Sequence, residues 1–180
     1  MIKKILLGLV AVIGILAGIA SFQSDDMKVS RSSVIPAPPA AIYAVVNDFS
    51  KWMSWSPWTG LDPEMKHRLE GPVQGVGAKF HWDGNMECGA GTSNLTASKP
   101  DEYVHMRIDM TRPMAGSTEV QFTFVPEGAG TKVTWAMQGK KPFIGKLMGL
   151  FMDCEKMCGD DFEKGLANLA KVVATGSSPK

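Results

Sequence analysis

Histidine and cysteine are scarce in this 180-residue chain, three of each, and that scarcity excludes several chemistries together. Cys88, Cys154 and Cys158 cannot form a fully paired disulfide framework. Cys154 and Cys158 stand one helical turn apart, which is ill-suited to the short Cβ separation of a disulfide. As metal ligands they need His or carboxylate partners, so both read instead as small thiols on the core face of a helix. His67, His81 and His105 do not converge, since strand alternation turns His81 and His105 to the wet face. No metal centre, Cys/His nucleophilic pair or cofactor is therefore expected. There is no phosphate loop, nucleophile elbow or zinc spacing, and Gly75-Val-Gly reads as turn geometry. Net charge is only +1 with no basic run, so a nucleic-acid footprint is missing too.

Apolar residues make up 44% of the chain and charged ones 21%, a composition that folds. The length fits one domain plus an appendage. Twelve Met and five Trp suit either a Met-rich core or a ligand cavity with broad aromatic walls.

Residues 1–24 form the appendage. Lys3 and Lys4 precede a charge-free apolar run from Ile5 to Phe22, which is either a membrane anchor or a cleavable signal segment. Gly18 and Ala20 offer a weak cleavage pattern, after which the domain would be secreted. As an anchor, residues 5–22 make the membrane a partner. Lys3 and Lys4 on one flank and Asp25 and Asp26 on the other then place the chain in the cytoplasmic membrane with its domain on the outer side.

The folded unit occupies residues 25–174, and residues 175–180 are expected to be a disordered tail. Lys28 to Ile35 reads as a first strand, stopped by Pro36. Pro38 and Pro39 open a helix to about Asn47 with Ile42, Val45 and Val46 on one side, and a short turn follows through Trp52, Trp55 and Trp58. These three tryptophans suit a pocket mouth, a membrane interface or packing on the sheet edge.

Then comes an antiparallel meander: Met65–Glu70, Lys79–Asp83, Glu87–Ser98, Tyr103–Met110, Ser117–Val125 and Thr131–Gln138. Asp83-Gly84-Asn85 is a hairpin signal, and Gly89 and Gly91 suggest a bulge. Alternation collects Phe80, Trp82, Met106, Met110, Phe122, Phe124, Trp135 and Met137 on one dry face. Pro142 to Val173 reads as one long amphipathic helix whose stripe includes Leu147, Phe151, Cys154, Cys158, Phe162, Leu166 and Leu169. Glu155 is the one charge in that stripe. The fold class is α+β, a curved sheet of about seven strands wrapped around the terminal helix. Its candidate ligand-binding residues are Trp55, Trp58, Phe80, Trp82, Met106, Phe122, Trp135, Phe151, Cys154, Glu155 and Cys158.

Several stretches in this order resemble the START-like, or SRPBCC, superfamily with its Bet v-type helix-grip fold. They are Ile35-Pro-Ala-Pro-Pro-Ala-Ala-Ile-Tyr43, Asn47-Asp-Phe-Ser-Lys-Trp52, Trp55-Ser-Pro-Trp58, Gly75-Val-Gly-Ala-Lys-Phe-His-Trp82, Gly128-Ala-Gly-Thr-Lys-Val-Thr-Trp135 and Pro142 to Met152. The likeness covers about Lys28 to Val173 and is nearest the membrane-tethered bacterial polyketide cyclase/dehydrase-like branch. It implies a hydrophobic small molecule or lipid held between sheet and helix. A cyclase or aromatase using Glu155 as acid/base, and a structural protein with a solid core, are the other two readings. The first half of the long helix, Phe143 to Cys158, is expected to border the cavity, and the second half, Phe162 to Val173, to pack as core.

Overall fold

The computed structural model describes residues 2–176. Helix α1 (Ile2–Phe22) leads through Gln23–Asp25 into strand β1 (Asp26–Ile35). The Pro36–Pro39 segment then opens α2 (Pro39–Val46). Pro38 caps it with an extended backbone and Pro39 takes the first turn, where a missing N–H costs nothing. Ile42 and Val46 are its buried side. A short 3-10 turn, Phe49–Ser54, is capped by Asp48, whose carboxylate accepts from the Ser50 N–H at 2.9 Å.

Strands β2 (Lys66–Glu70), β3 (Lys79–Asp83), β4 (Ala90–Lys99), β5 (Tyr103–Arg112), β6 (Gly116–Glu127) and β7 (Gly130–Lys140) complete a sheet. Its order is β1-β7-β6-β5-β4-β3-β2, antiparallel throughout. The meander from β2 to β7 joins neighbours by connections of two to eight residues, and β1 crosses back to the outer edge of β7. The expected bulge is present as a register shift at Ala90/Gly91, with a second at Leu95/Ala97. The connection after Asp83 is a six-residue loop closed by the Gly84 N–H on the Gly89 carbonyl at 2.9 Å, not a tight hairpin. Glu87 to Gly89 therefore belong to that loop and β4 starts at Ala90.

The single long helix expected from Pro142 to Val173 is two helices. α3 (Phe143–Met148) ends at Gly149, and α4 (Cys154–Thr175) starts anew behind Asp153. The Asp153 carboxylate accepts from the Lys156 N–H at 2.9 Å, which is N-cap chemistry. Gly145 and Gly149 weaken the helix just before it, since glycine is a poor helix former. Thr175 is still helical, and Gly176, in the left-handed region at φ 60°, closes α4. Of the expected tail, residues 177–180 lie outside the described residues.

α4 lies against the concave face of the sheet, chiefly over β1. Two glycines let it come close. A Cβ on Gly159 would collide with the Arg31 guanidinium, and one on Gly165 would fall 2.6 Å from Trp135 Cζ3. Between helix and sheet the core is aromatic, with Phe49, Trp55, Phe122, Trp135 and Phe162 all essentially sealed.

Candidate functional site

Register decides which side chains share the concave face. Val29, Met137, Val120 and Met106 stand side by side across four strands, and Arg31, Trp135, Phe122 and Val104 form the next row. The second row is the centre of the molecule. Trp135 stacks on Phe162 at 4.2 Å with planes 6° apart. Trp55 meets Trp135 edge-on at 5.7 Å and Phe122 at 5.9 Å, the offset and T-shaped geometries aromatic rings prefer. The indole N–H of Trp52 donates to the Val46 carbonyl at 2.9 Å. Those of Trp55 and Trp135, and the Thr59 hydroxyl, are buried with no protein partner among the described residues, an arrangement that costs stability unless an acceptor meets them.

Burial falls off toward one end of this face. Met106, Phe122 and Trp135 are sealed. Ile108, Met110, Met137, Trp82, Trp58 and Cys158 are only partly covered. Of these, Met137 also borders a depression of about 410 Å³, whose other walls are Val29, Arg31, Val120 and Glu155 with polar positions of β1, β5, β6 and β7 such as Lys28, Gln121 and Gln138. Its volume is in the range of small-molecule sites. It lies at the end of the sheet where Asp26 pairs with Lys140, and so where α1 and α3 attach.

The structure thus brings together Trp55, Phe80, Met106, Phe122 and Trp135 in a packed core, with Trp58, Trp82 and Cys158 at its margin. It does not bring Phe151 there. That ring is 72% exposed, on the connection between α3 and α4. Cys154 is also exposed, at the first position of α4. Glu155 sits in the first turn of α4, exposed at the rim of the depression rather than enclosed in a cavity. A carboxylate is at ease at that helix end, where the dipole is positive. Burial, with Asp161 and Cys154 nearby, pushes the Cys158 thiol above its usual range, which makes it less nucleophilic. Cys88 is raised in the same way by burial, Asp62 and Glu87.

Two polar features escaped the sequence reading. Arg31 is on the concave face, its Nε donating to Glu163 Oε1 at 3.0 Å and its Nη1 to the Ser30 carbonyl at 2.8 Å. Its signal was the alternation Val29, Arg31, Ser33, Ile35, which places a charge among core positions. His81 is held between two groups. Its Nε2 is 3.1 Å from Glu70 Oε2, and its Nδ1 shares a 2.8 Å hydrogen bond with Thr92. Glu70 also accepts from Lys79 Nζ at 2.8 Å and Arg68 Nη1 at 3.0 Å. These donors pull the Glu70 pKa from the usual 4.5 down to about 2. The cluster ties the short edge strand β2 to β3 and β4. Among the described residues no group of three His, Cys, Asp or Glu side chains is arranged to hold a metal ion.

Comparison with known families matches residues 26–174 to the family described as polyketide cyclase/dehydrase and lipid transport. The chain belongs to this family. It is thereby a member of the SRPBCC superfamily, and the helix-grip architecture is that of the solved relatives. An uncharacterised protein of Rhizobium leguminosarum superposes with a TM-score of 0.62 at 13% identity, covering 85% of this chain and 97% of its own. The Aha1 dimer of Colwellia psychrerythraea gives 0.60 at 18% identity, covering 84% and 99%. Ara h 8.0201 gives 0.57 at 14% identity, covering 83% and 99%. At such identities these likenesses concern the fold alone. A comparison with curated proteins finds no match. Within this SRPBCC domain, the space between sheet and helix is aromatic at its centre and open at one end.

Proposed function

We propose that the chain binds an apolar small molecule or a lipid at the open end of the sheet–helix interface, as a domain tethered to a membrane through α1. The observation that carries this reading is the burial gradient on the concave face. Met106, Phe122 and Trp135 are sealed, whereas Met137, Ile108 and Cys158, one step along, are only partly covered. Covering such side chains with a ligand is favourable by about 25 cal/mol per Å² of apolar area before ordering costs. Arg31 and Glu155 line the adjoining depression with other polar side chains, Lys28, Gln121 and Gln138 among them, and these supply groups that orient a ligand's polar end. The family description, which joins cyclase/dehydrase chemistry with lipid transport, supports an apolar ligand. α1 supports the tether, since Lys3–Phe22 is long and apolar enough to cross a membrane and almost none of it is buried.

The filled aromatic centre favours a second reading, a tethered interaction domain with a solid core. One experiment separates the two. Full-length protein is purified in detergent, extracted with organic solvent, and the extract analysed by mass spectrometry. Binding predicts one recurrent apolar species at a fixed ratio to protein, depleted in an Ile108→Arg variant that keeps its melting temperature. An extract no different from that of detergent-matched bulk membrane would sink the binding reading.

A further inference from the structure

The α3 region carries a second apolar surface that the ligand reading does not use. Phe143, Ile144 and Met148 are about half exposed, and Phe151 and Met152 follow on the connection to α4. At 100° per residue, Phe143, Ile144, Leu147 and Met148 share one side of α3. Lys146 lies on the other side, nearly buried and ion-paired with Asp25. The helix therefore turns its charge toward the protein and its apolar side chains outward, the reverse of a soluble surface helix.

The neighbour of α3 supplies the occupant. α1 packs on α3 through its last turns, where Leu16, Ala17 and Gly18 are partly buried and Ala20 is fully buried. The span Lys3–Phe22 has 20 residues and at ~1.5 Å per residue is about 30 Å long, just the thickness of a bilayer's hydrocarbon core. Residues 3–15 alone would reach only about 20 Å, too short to cross. If α1 spans, the turn that bears Leu16 to Ala20 is inside the bilayer, and the helix packed against it must enter too.

From this length we infer that α3 and the following residues to Met152 insert into the leaflet on the domain's side, beside α1, as an interfacial helix. The inference rests on the reading of α1 as a membrane span. The depth it requires, roughly 5–10 Å, is that of interfacial amphipathic helices. Asp26 and Lys140, which pair at the start of β1 and the end of β7, mark the same end of the sheet as the partly covered Ile108 and Met137. The open end of the groove is therefore held at the bilayer surface, so the ligand class that fits is a bilayer-resident lipid entering from that leaflet.

The test uses the full chain in phosphatidylcholine–phosphatidylglycerol vesicles whose acyl chains carry bromine at carbons 6 and 7. Phe143→Trp and Phe151→Trp place fluorophores at two exposed positions, with the wild-type emission subtracted. Val125→Trp, on exposed β6 at the other end of the sheet, is the control. The expected result is roughly twofold quenching of both α3-region probes relative to unbrominated vesicles, the depth effect of an interfacial helix, with the control unchanged. Flotation of the same samples reads the tether. A chain that fails to float with the vesicles overturns both the span and this inference. A chain that floats while its α3 probes behave like the control overturns this inference alone.

Discussion

Phe162 and Phe151 occupy the same apolar stripe when the sequence is read as a continuous helix, yet the structure gives them opposite surroundings. Phe162 is 1% exposed and stacked at 4.2 Å on Trp135, while Phe151 stands in the open. Truncating each to alanine isolates what α4 contributes. Phe162→Ala deletes a buried ring between two packed layers, a change that costs about 3–5 kcal/mol in comparable cores. The stacked pair accounts for about 0.5–1.5 kcal/mol of that beyond area burial. In a chain of this size 1 kcal/mol moves the melting temperature by roughly 2–4 °C, so the midpoint should fall by roughly 10 °C. Phe151→Ala should shift it by no more than a degree or two, since exposed substitutions stay within about 0.5 kcal/mol. The assay is thermal unfolding of full-length protein in detergent, followed by near-ultraviolet circular dichroism, which reports on the tryptophan cluster. A loss below about 1 kcal/mol for Phe162→Ala, against the usual range for buried aromatic truncations, would mean that the aromatic centre is not the packed unit described above. Equal losses for the two variants would mean the same.

Two further outcomes are expected. Gly165→Ala should lower the melting temperature, because its Cβ would meet Trp135 Cζ3 at 2.6 Å and Pro57 Cδ at 3.1 Å. Overpacking of about 1–3 kcal/mol outweighs the ~1 kcal/mol gain in helix propensity, and a more stable variant would refute the close approach of α4. Glu70, held at about 2 by Lys79 and Arg68, contributes stability that is complete above its usual pKa near 4.5 and is lost as pH falls from there toward 2. The melting-temperature difference between wild type and Glu70→Gln should therefore be level above pH 5 and close as the pH approaches 2. A constant difference across that window would remove the role given to the Glu70 cluster.

The strand pattern was legible because alternation is local. Val104, Met106 and Ile108, or Val120, Phe122 and Phe124, need nothing beyond themselves to declare a face. The prolines at 38 and 39 announced α2 by their own geometry. The helix break was not read because apolar periodicity runs through it, from Leu147 and Met148 across Phe151 to Cys154. The marks that end a helix, Gly149 and the Asp153 cap, lay in the same stretch. Exposure was the least legible quantity. A helical projection places Glu155 and Phe151 on an inner face, but the kink after α3 and the approach of α4 to β1 decide what that face meets. The tryptophans were left among three environments because burial of Trp55 depends on Trp135 and Phe162, more than 75 residues away. Lys146 shows the converse: an isolated cation reads as a wet position until Asp25 comes to meet it.

The pairing of β1 with β7 has a consequence in time. Asp26 faces Lys140 across 114 residues, so β1 has no partner until β7 has been made. At 5–20 residues per second that wait is on the order of ten seconds. β2 to β7 can zip through short loops as they appear, while closing β1 onto β7 must overcome the largest loop entropy in the molecule. During the wait β1 presents Lys28, Ser30, Arg31, Ser32 and Ser33 among few large apolar residues, a polar strand that resists pairing with strangers. Completion of the sheet in this way waits for β7, and the strand that follows the N-terminal helix is the one held open until then.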